Sequence, residues 1–200
     1  MPQQKRSTAK FLSILRAFPR VVEAYGYDKA STEKIALEAD VGIGTLYDYF
    51  SNKEAILVAY LDHELGAALD AVESASQDST STVIQALHQL VAIGIDFAFE
   101  QRDMIKLLFL HLADNLAEIN LEQSRLKLQR IAIDFAISHN IAMNNKNPDM
   151  IIYTLTNLVI GFQFRIVAMP DNRIAKDQMI NDLVTVINQY LFGSFLHSSK

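Results

Sequence analysis

The chain has 200 residues, half of them hydrophobic, which is enough for one large domain or a small one joined to a medium one around a sizeable core. It contains no cysteine, which excludes disulfide scaffolds, thiolate catalysis and cysteine-ligated zinc or iron–sulfur centres. The net charge of −5 argues against a polyanionic partner only until its distribution is read: Lys5, Arg6, Lys10, Arg16 and Arg20 fall within residues 1–20 without a single acid, and acids outnumber bases beyond them.

No run of about 18 uncharged apolar residues is present, and the opening "MPQQKRSTAKFLSILRAF" lacks the apolar stretch and small-residue cleavage site of a secretory signal. A cytoplasmic protein without a membrane partner is the expectation. Glycine and proline are sparse, and apolar residues recur at three- and four-residue spacing, as in Ile180, Leu183, Val184, Ile187 and Leu191. The fold class is therefore all-α, with about nine helices.

In chain order, the first helix covers residues 8–25 and stops at Gly26, whose missing Cβ suits the left-handed C-terminal position, with Tyr27 available to fold back on the last turn. Pro19 inside it predicts a kink, or a separate helical segment ending near Phe18. Ser31 is a good N-cap for a short second helix over 32–39 with Ile35 and Ala36 facing inward. Asp40 can take the left-handed backbone of a tight turn, and a third short helix runs from Ile43 to Phe50. Ser51 and Glu54 have the spacing of a capping box for a fourth helix over 52–75. The polar stretch "SASQDSTST" breaks the pattern before helices over 82–101, 103–116 and 120–139. Asn147 as cap and Pro148 at the first helical position open a helix over 148–168, and the last helix fills 174–196.

Two short helices joined by a tight turn describe a helix-turn-helix, whose second helix enters the major groove N-terminus first. Ile43, Gly44 and Thr45 stand at that end: Gly44 permits close backbone approach, and Thr45 offers a methyl to thymine or a hydroxyl to a base or phosphate. Tyr47 and Tyr49 can donate hydroxyls to flanking phosphates, Leu46 and Phe50 share the inward face, and Lys53 lies at the start of the next helix beside free backbone N–H groups.

The wording Gly26-Tyr27, Ser31-Thr32, Ile35-Ala36 and "ADVGIGTLYDYFSNKEAIL" resembles the TetR family of bacterial transcriptional regulators over about residues 10–60. The resemblance implies an N-terminal helix-turn-helix DNA-binding domain over 1–53 and an effector-binding and dimerisation domain over 54–200. It also implies contacts of Thr32 with phosphate, of Ile43, Gly44 and Thr45 at or near bases, and of Tyr47, Tyr49 and Lys53 with phosphate. Three positions depart from the family pattern. Gly42 stands where a serine usually caps the recognition helix, Asp40 replaces a turn glycine, and Pro19 falls inside the first helix.

The last two helices are apolar around much of their circumference, which implies burial on more than one side and favours a homodimer made through them, with Gly161 at a close approach or an internal contact. The middle of the chain offers Phe97, Met104, Leu108 and His111, with Phe135, Tyr153, Asn157 and Gln163 from later helices, either as plain core or as the lining of a pocket for a largely apolar effector. The five histidines lack metal-ligand spacing, and no glycine-rich phosphate loop is present, so neither a metal, nor a cofactor, nor catalysis is expected. The function implied is a ligand-responsive repressor released from a palindromic operator. The competing reading is a helical small-molecule-binding protein that has kept the fold without operator binding.

Overall fold

The computed structural model describes residues 2–78, 80–111, 121–139, 147–171 and 173–192. Among them are nine α-helices and one short 3-10 turn: α1 (Pro2–Tyr25), the turn Tyr27–Lys29, α2 (Thr32–Glu38), α3 (Ile43–Tyr49), α4 (Lys53–Ser76), α5 (Val83–Glu100), α6 (Arg102–His111), α7 (Leu121–Ser138), α8 (Pro148–Ala168) and α9 (Lys176–Phe192). The ends expected for the sixth, seventh and ninth helices at 116, 120 and 196 lie outside the described residues. The 3-10 turn went unread in the sequence, where Tyr27–Lys29 carries no signal longer than one residue.

The chain divides into two compact units. The first comprises Met1–Glu64 with Asp103–Asn120, and the second Leu65–Arg102 with Leu121–Lys200. The segment from Asp103 and the start of α4 thus group with the N-terminal helices, beyond the single cut after residue 53 read from the sequence.

In the first unit, Ile14 and Phe18 of α1, Ile35 of α2, Leu46 of α3 and Ile56 and Leu57 of α4 are fully buried in one cluster, joined by Leu108 of α6. Helix α1 starts earlier than expected and remains helical through Pro19, so no separate segment ends at Phe18. Leu15, Phe18 and Val22 around the proline are all buried. Each such burial contributes about 1.5–3 kcal/mol, which together outweighs the roughly 3 kcal/mol cost of an interior proline.

The caps follow local chemistry. Ser31 Oγ accepts from the Lys34 amide at 3.4 Å, Thr82 and Gln85 form a reciprocal capping box on α5, and Asn147 accepts from the Asp149 amide at 2.9 Å. At α4 the expected Ser51 and Glu54 box gives way to Asn52, whose Oδ1 accepts from the Ala55 amide at 2.7 Å. With Lys53 as the first helical residue, Ser51 stands one position too early to cap.

In the second unit α5 packs on α8 and α9 through Ala86, Val91, Ile95 and Ala98 against Ile166, Leu183, Val184 and Ile187. Helices α5 and α8 are long and apolar enough to cross a membrane by length and composition alone. Here Asp96 of α5 is paired with Lys176 of α9 at 2.6 Å. The C-terminal half of α4 is tied to α7 by ion pairs of Lys127 with Asp70 and with Glu73, and of Arg130 with Glu73 at 2.8 Å.

Candidate DNA interface and apolar cavity

The turn between α2 and α3 is built by Ala39 and Asp40. Asp40 holds φ at 53°, in the left-handed region that its short polar side chain tolerates, and the Val41 amide closes the turn on the Ala36 carbonyl at 3.0 Å. Gly42 then serves as N-cap of α3 without a side-chain hydrogen bond, as its lack of a side chain requires.

From this turn α3 points two faces in opposite directions. Leu46 is fully buried and Phe50 nearly so, whereas Ile43 is 41% and Tyr47 50% exposed, with Gly42 and Gly44 beside them in solvent and Thr45 half-buried. A Cβ built on Gly44 would meet nothing within 4 Å, so no internal contact of the unit requires a glycine there. An exposed isoleucine beside an unneeded glycine leaves a shallow, apolar outer surface at the N-terminal end of the helix.

The hydroxyl groups around this face are paired. Thr32 Oγ1 and the Tyr47 hydroxyl lie 3.0 Å apart across α2 and α3, so one donates to the other and the pair keeps a single O–H for an outside acceptor. Tyr49 differs: its hydroxyl donates to the Ser7 carbonyl at 3.0 Å and lies 2.8 Å from Ser7 Oγ, which can donate back to it. Its one proton is therefore used on α1 rather than offered outward. The same ring packs edge-on against Phe11 of α1, which also stacks on Phe50 at 5.4 Å.

Lys53 donates to the Tyr27 carbonyl at 2.9 Å and sits 4.2 Å from the centre of that ring, leaving two of its protons uncommitted. The Tyr27 hydroxyl donates to Glu54 at 3.3 Å, and the ring is covered by His111 at 4.4 Å. Burial, with the neighbouring Glu54 carboxylate, pushes the Tyr27 phenol well above its ordinary range, so it remains a donor. Gly26 ahead of it holds φ 76° and ψ 154°. That is the region open essentially to glycine alone, beyond the left-handed helical conformation read from the sequence.

The second unit holds a cavity of about 220 Å³ that is about half open to solvent. Leu65, Ala68, Leu69 and Val72 of α4 line one side at helical spacing, facing residues of α5, α7, α8 and α9. Of the candidates read from the sequence, Phe97, Phe135 and Gln163 line it. Met104, Leu108 and His111 do not, because the apolar stripe of α6 faces the core of the first unit. Tyr153 is 65% exposed and Asn157 donates to its carbonyl on the outer side of α8, so neither reaches the cavity. Sequence reasoning missed the α4 residues, whose i, i+3, i+4, i+7 spacing was available, and Gly94, which carried no signal. Gln163 Nε2 donates to the Gly94 carbonyl at 2.8 Å, and a Cβ on Gly94 would come within 3.3 Å of that nitrogen.

The family profile described as bacterial regulatory proteins, tetR family, matches residues 14–60, the helix-turn-helix and the helices that support it. Over 69 residues the chain is 35% identical to the fatty acid metabolism regulator protein of Bacillus subtilis (strain 168), covering 34% of this chain and 36% of that protein. The chain spans about a third of the length of the curated relatives it matches. Its fold extends further. A TetR-family transcriptional regulator of Mesorhizobium loti MAFF303099 superposes with TM-score 0.72 at 18% identity, over 93% of this chain and 96% of that one. The regulator FadR of Bacillus subtilis, solved in complex with stearoyl-CoA, superposes with TM-score 0.64 at 19% identity, over 92% and 98% of the two chains.

Proposed function

We propose that this chain, which belongs to the TetR family of bacterial regulatory proteins through residues 14–60 and through its fold, is a ligand-responsive DNA-binding regulator that acts in the cytoplasm as a homodimeric repressor. The observation that carries the DNA role is the outer face of α3, where Gly44 lacks any internal reason to be a glycine and Ile43 lies exposed beside it. A surface that must approach base edges closely needs that bareness.

In this reading residues 1–53 bind operator, and residues 54–200 bind effector and form the dimer. Gly42, Ile43, Gly44 and Thr45 approach the base edges. The Thr32 and Tyr47 pair gives its remaining O–H to one phosphate, and Lys53 gives its free protons to another. Tyr49 acts chiefly by fixing α1 against α3, since its proton is held by Ser7. The dimer forms through α8 and α9, where Met150, Tyr153, Ile160 and Phe164 leave an apolar stripe in solvent. The effector is a largely apolar small molecule in the cavity, a reading in keeping with the stearoyl-CoA held by one structural neighbour. It releases the operator by binding better to a dimer whose recognition helices are differently spaced. Neither catalysis nor a cofactor enters this reading.

The test is a footprint of the purified protein on DNA flanking its own gene at two salt concentrations, beside Tyr47→Phe and Lys53→Ala variants of matched thermal stability. A protected palindrome whose affinity falls with salt, with the Lys53 variant weaker and less salt-dependent, supports the reading. Absence of localised protection there, and of any enriched site after selection from random DNA, would sink it in favour of a small-molecule carrier with this fold.

A further inference from the structure

We propose that Asp48 reads one cytosine in each operator half-site, accepting a hydrogen bond from the exocyclic amine of that base. This rests on the DNA-binding reading above and narrows it to one side chain and one base.

The placement follows from helical phase. At about 100° per residue, Gly44 and Asp48 stand one turn apart, each about 160° around α3 from Leu46, the fully buried side chain that seats the helix. They form the line of α3 that points farthest from the core of the first unit, and both are exposed. A Cβ on Gly44 would meet nothing, so this line is bare one turn ahead of the carboxylate. Tyr47 lies about 100° to one side of Asp48, where its hydroxyl is joined to Thr32 of α2 at 3.0 Å. In the reading above that pair meets the phosphates of one strand. Asp48 is thereby turned away from that wall and toward the floor of the groove.

Nothing inside the molecule accounts for the charge. Among the described residues, no hydrogen bond or ion pair engages the Asp48 side chain. It stands in the last turn of α3, where the negative end of the helix dipole disfavours an acid. Beside a phosphate it would only repel. In the major groove an ionised carboxylate can only accept, and two bases offer an amine there, cytosine at N4 and adenine at N6. The adenine amine lies between two acceptors, its own N7 and O4 of the paired thymine. The cytosine amine has an acceptor on one side alone, O6 of the paired guanine. The carboxylate is repelled less at cytosine, so C·G is the pair it selects.

The test selects duplexes from random DNA with the full chain and with Asp48→Ala and Asp48→Asn, each matched to wild type in thermal stability. We expect the wild type to enrich a palindrome with C·G fixed at one position of each half-site. In Asp48→Ala that position alone should lose its preference. In Asp48→Asn it should shift toward A·T, because a carboxamide donates to N7 and accepts from N6 of adenine. On the enriched site, exchanging that pair for T·A replaces the amine by an oxygen. Fluorescence anisotropy should then show wild-type binding weakened by about tenfold or more, and Asp48→Ala by less than about threefold. Base preferences identical in wild type and Asp48→Ala overturn the proposal. So does an alanine variant that binds every sequence more tightly by one common factor, the mark of a carboxylate beside a phosphate. Either result, obtained with an enriched palindrome, leaves the DNA-binding reading standing, whereas no enriched site for the wild type removes both.

Discussion

Two glycines separate backbone need from surface need. Gly26 sits at φ 76° with open space where a Cβ would go, so its constraint is conformational alone. Gly26→Ala should destabilise the protein by about 1–3 kcal/mol, read from urea unfolding. Gly44 lies within α3 at ordinary helical backbone, also with open space around it. Gly44→Ala should leave stability unchanged or raise it by up to about 1 kcal/mol, while weakening operator binding in a gel-shift titration. Equal losses of stability in both variants would mean that Gly44 has a packing role not visible in its surroundings. The sequence made Gly26, Ser31 and Asp40 readable because their reasons are local: a sign of φ, or a partner three residues away. The pairing of Tyr49 with Ser7 was not legible, because Ser7 lies 42 residues earlier and nothing in the intervening pattern announces it. Asn52 and Ser51 compete for one cap, and only the helix start decides between them. Asn52→Ala should cost about 1 kcal/mol and Ser51→Ala little, which the same unfolding measurement resolves.

Helices were readable one at a time, and their neighbours were not. Periodicity tells that α6 buries Leu108 and half-buries Met104, but it is silent on which core receives them, so the sequence leaves the stripe open between plain core and pocket lining. The same spacing in α4 does line the cavity through Leu65, Ala68, Leu69 and Val72. What holds that wall against α7 includes charge as well as apolar contact. Lys127 bridges Asp70 and Glu73, and Arg130 shares Glu73. Exposed pairs of this kind contribute about 0–1 kcal/mol each, more when they share partners. Lys127→Met should therefore lower stability by about 1 kcal/mol in dilute buffer, with the difference from wild type shrinking toward zero at 1 M salt, where screening acts within about 3 Å. A difference that persists at high salt would show that the lysine stem, rather than its charge, supports the wall.

At the scale of the whole molecule, α4 is the helix that the two proposed roles share. It opens with Lys53 beside the helix-turn-helix, and the residues from Leu65 onward face the cavity without a break in the helix. A continuous helix transmits a displacement at one end to the other, but a single recognition helix gains nothing from it. The separation between two recognition helices is what an operator can sense, so release by effector needs the dimer. The outward residues of α8 supply its expected surface: Ile160 is 49% and Phe164 55% exposed, on the side of the helix away from the core formed by Ile166 and its neighbours. Replacing both by glutamate places two charges in each half of a symmetric contact, doubled by the axis. Both side chains are about half exposed in the isolated chain, so a helical content equal to that of the wild type is the control that the variant must pass. The Ile160→Glu, Phe164→Glu variant should sediment as a monomer with unchanged helical content. Its operator affinity should fall by about 10²–10⁴-fold, the loss expected when two linked half-site contacts become one. A variant that remains dimeric, or a monomer that keeps full operator affinity, would move the dimer contact elsewhere and with it the coupling through α4.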